Sequence, residues 1–175
     1  MAKIDDIYNA VDDFGLITSA EARDLGVSNA ELVQQARRGK LNRVGRGVYR
    51  MPIWPYQEAS PYAIAVKTVG PNAYLYGESV IALLELVPTN PSRITIATPN
   101  RVRKDLKREV QIITLPAKDS TTYYEGVPSQ FVYDALKSAA NSIGSTRTLQ
   151  AADAALKLGY ITKQENEALR EELIL

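Results

Sequence analysis

The chain has 175 residues, 45% of them hydrophobic, which suits one large domain or two small ones and excludes a disordered chain. It holds no cysteine and no histidine, which removes disulfides, thiolate or imidazole metal sites and the commonest general base. The formal net charge is only +1, from 21 basic and 20 acidic residues, so any preference for a charged partner must come from where the charges lie.

The first expected helix spans roughly 4–13, with Ile4, Ile7, Ala10, Val11 and Phe14 at helical spacing. "TSAE" (Thr18–Glu21) and "SNAE" (Ser28–Glu31) both fit a capping box, in which the hydroxyl accepts from the backbone N–H three residues on and the glutamate reaches back. They start helices over 19–25 and 29–38, joined through Gly26-Val27, where glycine suits the left-handed residue that ends a helix. Gly39 ends the second. Three short helices with a tight turn between the last two make a helix-turn-helix. The strand-like "KLNRV" and "VYRM" follow, separated by Gly45-Arg46-Gly47, where glycine permits the positive φ of a tight turn. The expected fold is therefore α+β, beginning with a winged helix-turn-helix domain over 1–55. Its expected core is Ile7, Val11, Phe14, Ile17, Ala22, Leu25, Leu32, Ala36, Leu41, Val44 and Val48, and a fragment of residues 1–58 is expected to fold alone.

"PIWPYQEASP" (Pro52–Pro61) breaks regular structure and marks a domain boundary, with Trp54 and Tyr56 expected to pack the junction. The second domain, 61–175, reads as α+β with a smaller sheet. Helices are expected near 61–68, 77–86, 129–141, 146–158 and 163–172, and strands at 93–98, 110–115 and near 121–127. No internal repeat is visible. The most apolar run, Val80–Val87, is broken by Glu85 and falls short of the roughly 18 residues of a membrane span. The N-terminal ten residues lack the apolar core of a signal peptide. A cytoplasmic protein with no membrane partner is expected.

Charge is distributed in blocks. Residues 1–31 hold seven acids and two bases; Leu32–Gln57 holds six bases (Arg37, Arg38, Lys40, Arg43, Arg46, Arg50) and no acid. At 100° per residue, Leu32 and Ala36 share one side of the helix over 29–38, with Val33 and Asn29 on its shoulder. Ala30, Gln34, Arg37 and Arg38 lie opposite. In a helix-turn-helix the second helix enters the major groove of DNA and its N-terminal part meets the bases. The Gly-Arg-Gly tip would carry Arg46 to the backbone or an adjacent minor groove. The DNA-binding candidates are Ser28, Asn29, Ala30, Gln34, Arg37, Arg38, Lys40, Arg43 and Arg46. A second basic patch, Arg101, Arg103, Lys104, Lys107 and Arg108, could face flanking phosphates or an acidic protein surface.

"GLITSAEARDLGVSNAELVQQARRGKLNRVGRGVYRMP" (Gly15–Pro52) resembles the N-terminal winged-helix domain of the AbiEi family of antitoxins. The marks are Gly26-Val27-Ser28, Gly39, Leu41-Asn42-Arg43-Val44 and the hairpin Arg46-Gly47-Val48-Tyr49, followed by Met51-Pro52. Tyr74–Arg101 and Gly126–Ala139 are similar to later segments of the family. The family often has a threonine–arginine pair where this chain has Ser129-Gln130-Phe131, and this chain is short beside many members. The resemblance implies a sequence-specific repressor acting on its own operon. It would bind double-stranded DNA at its own promoter or operator, as inverted repeats, in a type IV toxin–antitoxin system tied to phage resistance. The alternatives are an antitoxin acting mainly by protein contact with a nucleotidyltransferase toxin, or a stand-alone regulator without a toxin.

An enzyme is not expected. The chain has no phosphate-binding loop, no nucleophile elbow and no dense carboxylate group, so neither a metal nor a cofactor is expected. Ser79 has no base at hand but Lys67 or Lys104. Glu78 and Glu85, seven apart on one expected helix face, are better read as solvated or as favouring a helix N-terminus than as metal ligands.

Overall fold

Ile4, Ile7 and Ala10 line the inner side of α1 (Lys3–Ala10), which stops three residues short of its expected end. The reason is Asp12: its carboxylate accepts the backbone N–H groups of Phe14 and Leu16, both at 2.9 Å, and so favours a turn over another helical repeat. That turn launches β1 (Leu16–Thr18), a strand the sequence did not announce because three residues are too few to show alternation. Then come α2 (Ser19–Asp24), α3 (Asn29–Arg37), β2 (Asn42–Gly45) and β3 (Val48–Arg50). The strands form an antiparallel sheet in the order β1-β3-β2. This is a winged helix-turn-helix with β2 and β3 as the wing. The computed structural model describes residues 3–103, 105–106, 110–116 and 121–174.

The core beneath these elements consists of Ile7, Ile17, Ala22, Val27, Leu32, Leu41, Tyr49 and Met51. Truncating a residue as fully enclosed as Leu32 costs about 2–5 kcal/mol in such a setting. The expected core named Leu25, which is 44% exposed; Val27, at 2%, fills that role. The turn explains the exchange. Gly26 takes a φ of 80°, and the N–H of Val27 returns to the carbonyl of Ala22 at 2.9 Å, which swings Val27 under the helix pair and leaves Leu25 outside.

Helix α4 (Ser60–Val69) extends this unit, packing on β1, β2 and β3. The chain divides into two compact units at Pro71/Asn72, so this helix lies in the first, whereas the reading from sequence placed 61–68 beyond a boundary at 55–61. Trp54 likewise packs within the first unit, while Tyr56 is 61% exposed beside Arg50 of the same unit. Trp54 makes an edge-on contact with Tyr8, donates its indole N–H to the carbonyl of Asp13 at 3.0 Å, and lies so close over Gly15 that a Cβ there would sit 2.5 Å from it. Lys67 on α4 reaches Glu21 at 3.1 Å and Asp12 at 3.5 Å. Thr68 meets the wing: a Cβ added to Gly45 would lie 2.5 Å from its Oγ1.

The second unit holds β4 (Tyr74–Leu75), α5 (Glu78–Leu83), β5 (Ile94–Thr98), β6 (Val110–Thr114), β7 (Thr121–Tyr124), β8 (Val127–Gln130), α6 (Val132–Ile143), α7 (Ser145–Leu158) and α8 (Lys163–Leu173). Its mixed sheet runs β6-β5-β4-β8-β7, with β5–β6 and β4–β8 parallel. The central strand β4 has two residues, again too few to read in advance. The helix expected from 129 begins instead at Val132, because Val127–Gln130 pairs with β7 across a tight turn at Glu125-Gly126. Thr148, Ala151, Ala152 and Ala155 form the buried side of α7, small side chains that allow close approach of α6 and α8. Thr162 and Glu165 form the capping box of α8. Hydrogen bonds from Arg170 and Asn166 hold the Asp153 carboxyl below its usual range.

Gln130 ties the sheet to two helices. Its Oε1 accepts the N–H of Gly77 at 2.9 Å, and its Nε2 donates to the Ser138 hydroxyl at 3.1 Å. The side chain is buried, so losing it would strand the Gly77 N–H without a partner. Gln130→Leu should lower stability by about 1–3 kcal/mol in urea unfolding, whereas a shift within error would make this bridge incidental.

The contact between wing and α4 is testable by a double-mutant cycle. Gly45→Ala should cost about 1–3 kcal/mol through overpacking against Thr68, and most of that loss should vanish in a Thr68→Ala background. An equal loss in both backgrounds would remove Thr68 as the cause.

Candidate nucleic-acid interface

The roll of α3 is fixed by Leu32, which is fully buried, with Val33, Gln35 and Ala36 half-buried beside it. The opposite side carries Ala30, Gln34, Arg37 and Arg38, all exposed, and Asn29 at the N-terminal end is exposed as well. Both capping boxes form. Thr18 accepts from the Glu21 N–H at 3.1 Å and Glu21 from Thr18 at 3.2 Å; Ser28 accepts from the Glu31 N–H at 3.2 Å and Glu31 from Ser28 at 2.8 Å. Ser28 thereby has a structural task, although it remains exposed. The turn from α2 to α3 spends only four residues, Leu25–Ser28, which keeps the two helices at a set angle.

The wing turns on two residues, Arg46 and Gly47. Gly47 takes a φ of 72°, the left-handed value that the turn requires, and its carbonyl accepts the Ser19 N–H at 2.9 Å. Gly45 does not share that conformation: it is a glycine because Thr68 stands behind it. The two glycines flanking Arg46 therefore answer different demands, one of backbone angle and one of space. Between them Arg46 is exposed at the tip, pinned from behind by α2 and α4. Lys40, just beyond α3, and Arg43, on β2, are also exposed.

All nine candidates from the sequence thus lie on the surface, on α3, the residues that flank it, and the wing. One cation of the acid-free run does not. Arg50 is 9% exposed, because β3 is the central strand of its sheet and both of its faces are covered. Its guanidinium donates to the Trp54 carbonyl and lies 5.1 Å from the centre of the Tyr56 ring. Five cations, not six, are free to meet a partner from that run. The positioning residues Ser19 and Thr68 were not foreseen; each acts through one long-range contact that no local pattern signals.

Of the second basic patch, Arg101 and Arg103 are exposed, and Lys104, Lys107 and Arg108 fall outside the described residues. Features weighed for catalysis are absorbed by structure. Ser79 is fully buried and its Oγ accepts the Thr95 N–H at 2.7 Å. Glu78 and Glu85 do not share a helix face, since α5 ends at Leu83 and Glu85 turns left-handed at a φ of 52°. Among the described residues, no group of three or more acidic side chains is gathered as a metal site would need, and no helix is long and apolar enough to cross a membrane.

No curated protein matches the chain. The stretch from Ile7 in α1 to Pro52 just past β3, which contains all nine candidates, matches a family described as a transcriptional regulator, AbiEi antitoxin, and so agrees with the resemblance seen in residues 15–52.

Proposed function

We propose that the first unit binds double-stranded DNA through α3 and the wing, and that the chain is a sequence-specific repressor of its own operon, working in the cytoplasm. The observation that carries this reading is the placement of charge. A chain of net charge only +1 concentrates Arg37, Arg38, Lys40, Arg43 and Arg46 on one helix end and one hairpin, all exposed, beside a helix face made of Asn29, Ala30 and Gln34. Cations on such a surface neutralise phosphates and release counterions, while amides and a small apolar side chain read base edges. The match of residues 7–52 to a regulator family supports the same reading, and its description as an antitoxin supports a toxin as a second partner; the nucleotidyltransferase type of that toxin is what the resemblance implies. A gel shift with the DNA upstream of the protein's own gene tests it: a salt-sensitive complex that outlasts random competitor is expected, and no complex at low salt would sink the reading.

Arg46→Ala should weaken operator binding by roughly 1–2 kcal/mol and lower the salt slope by about one unit, measured by titration at several salt concentrations. Unchanged affinity would place the tip away from the duplex. The double change Asn29→Ala, Gln34→Ala should reduce preference for the operator over random DNA. The double change Arg37→Gln, Arg38→Gln should instead weaken both, and competition titrations separate the two patterns. A fragment of residues 1–71 should fold and bind DNA. One of residues 1–58, which lacks α4, should melt lower and bind more weakly, as circular dichroism and titration would show.

A further inference from the structure

We infer that the surface formed by α3 and the wing tip selects A·T base pairs, in the major groove through the helix and in the minor groove through Arg46; this rests on the DNA-binding reading above. The helix argument is one of available chemistry. The side chains exposed on the first two turns of α3 are Asn29, Ala30 and Gln34. Asparagine and glutamine pair bidentately with the N6 and N7 atoms of adenine, and an alanine methyl packs on the thymine methyl. The groups that read a G·C pair are missing there or engaged. Arginine and lysine, the usual readers of guanine, first occur on this helix at Arg37, in its last turn, where a recognition helix meets the backbone rather than the bases. The one carboxylate of α3, Glu31, the kind of group that accepts from cytosine, takes the Ser28 N–H at 2.8 Å.

The wing supplies an independent observation. Arg46 stands at the tip of a two-residue turn, held by the Ser19–Gly47 bond and by the packing of Gly45 on Thr68. The bare backbone of Gly45 and Gly47 on either side makes the tip thin enough to follow a groove. A single arginine so presented is drawn to a narrow minor groove, where the potential is most negative, and stiff A-tracts have the narrowest. Helix and wing, on separate elements and in different grooves, select the same composition.

The test is selection of bound duplexes from a random library with the full chain, followed by inosine substitution in the selected site. An inosine–cytosine pair shows the major groove of G·C and the minor groove of A·T. The selected site should contain A·T pairs in a core and in a flanking tract. Inosine–cytosine in the core should weaken binding about 10- to 100-fold, as loss of a bidentate base contact does. The same replacement in the flank should be nearly silent, whereas G·C there should not be. Arg46→Ala should abolish the flanking preference and leave the core intact. A G·C-rich core, or equal affinity for all duplexes with steep salt dependence, overturns the A·T inference and leaves DNA binding standing. No enrichment and no salt-dependent affinity for any duplex overturns the proposed function, and the inference with it.

Discussion

The candidate interface depends on how one side chain is enclosed. Leu32 is wholly buried between α3 and the rest of the first unit, and a helix with one such anchor has little freedom to roll. Rotation by one residue, about 100°, would bring Val33 inward and carry Gln34 and Arg37 toward the protein. Val27 at the turn and the Ser28–Glu31 box at the helix start add two further restraints at the N-terminal end. The polar face is therefore presented by the packing of the apolar one, and the pattern of Asn29, Ala30, Gln34, Arg37 and Arg38 has meaning only because Leu32 cannot move.

The wing follows the same logic from outside the core. Its tip is not stabilised by its own strands alone, since β2 and β3 are four and three residues long and a lone hairpin of that size is marginal. Pairing with β1, the Ser19 bond to the turn and the packing of α4 convert it into a fixed projection. Lys67, shared by Asp12 and Glu21, fastens α4 to the loop before β1 and to α2, and offsets two of the carboxylates that crowd the N-terminal third of the chain. Because Lys67 and its partners are partly exposed, the pairing contributes more to placement than to stability.

What could be read in advance was what is written locally. Capping boxes at Thr18 and Ser28 occupy four consecutive residues each, and both form. The exposed face of α3 followed from helical period alone. The burial of Arg50, counted with the other five bases, could not be read because burial on a strand depends on the neighbours: Val48, Tyr49 and Arg50 are all buried, which alternation forbids unless both faces are covered, and only the pairing order reveals that β3 is central. β1 and β4 were invisible for their length, and α4 was given to the wrong side of a boundary because proline-rich sequence marks a break in structure but not which side the next helix joins. The Trp54–Gly15 and Thr68–Gly45 approaches span 39 and 23 residues and leave no periodic trace.

The division of labour on α3 bears on how such a protein diversifies. The residues that hold the helix, Val27, Leu32 and Ala36, touch the core, while Asn29, Ala30 and Gln34 are exposed on its surface. On the proposed reading, drift at these three surface positions is close to neutral for folding and decides which DNA is addressed. Duplicated copies in one cell can therefore become mutually insulated by a handful of nucleotide changes, without passing through an unstable intermediate. The address is a replaceable label on a chassis that selection has no reason to rebuild.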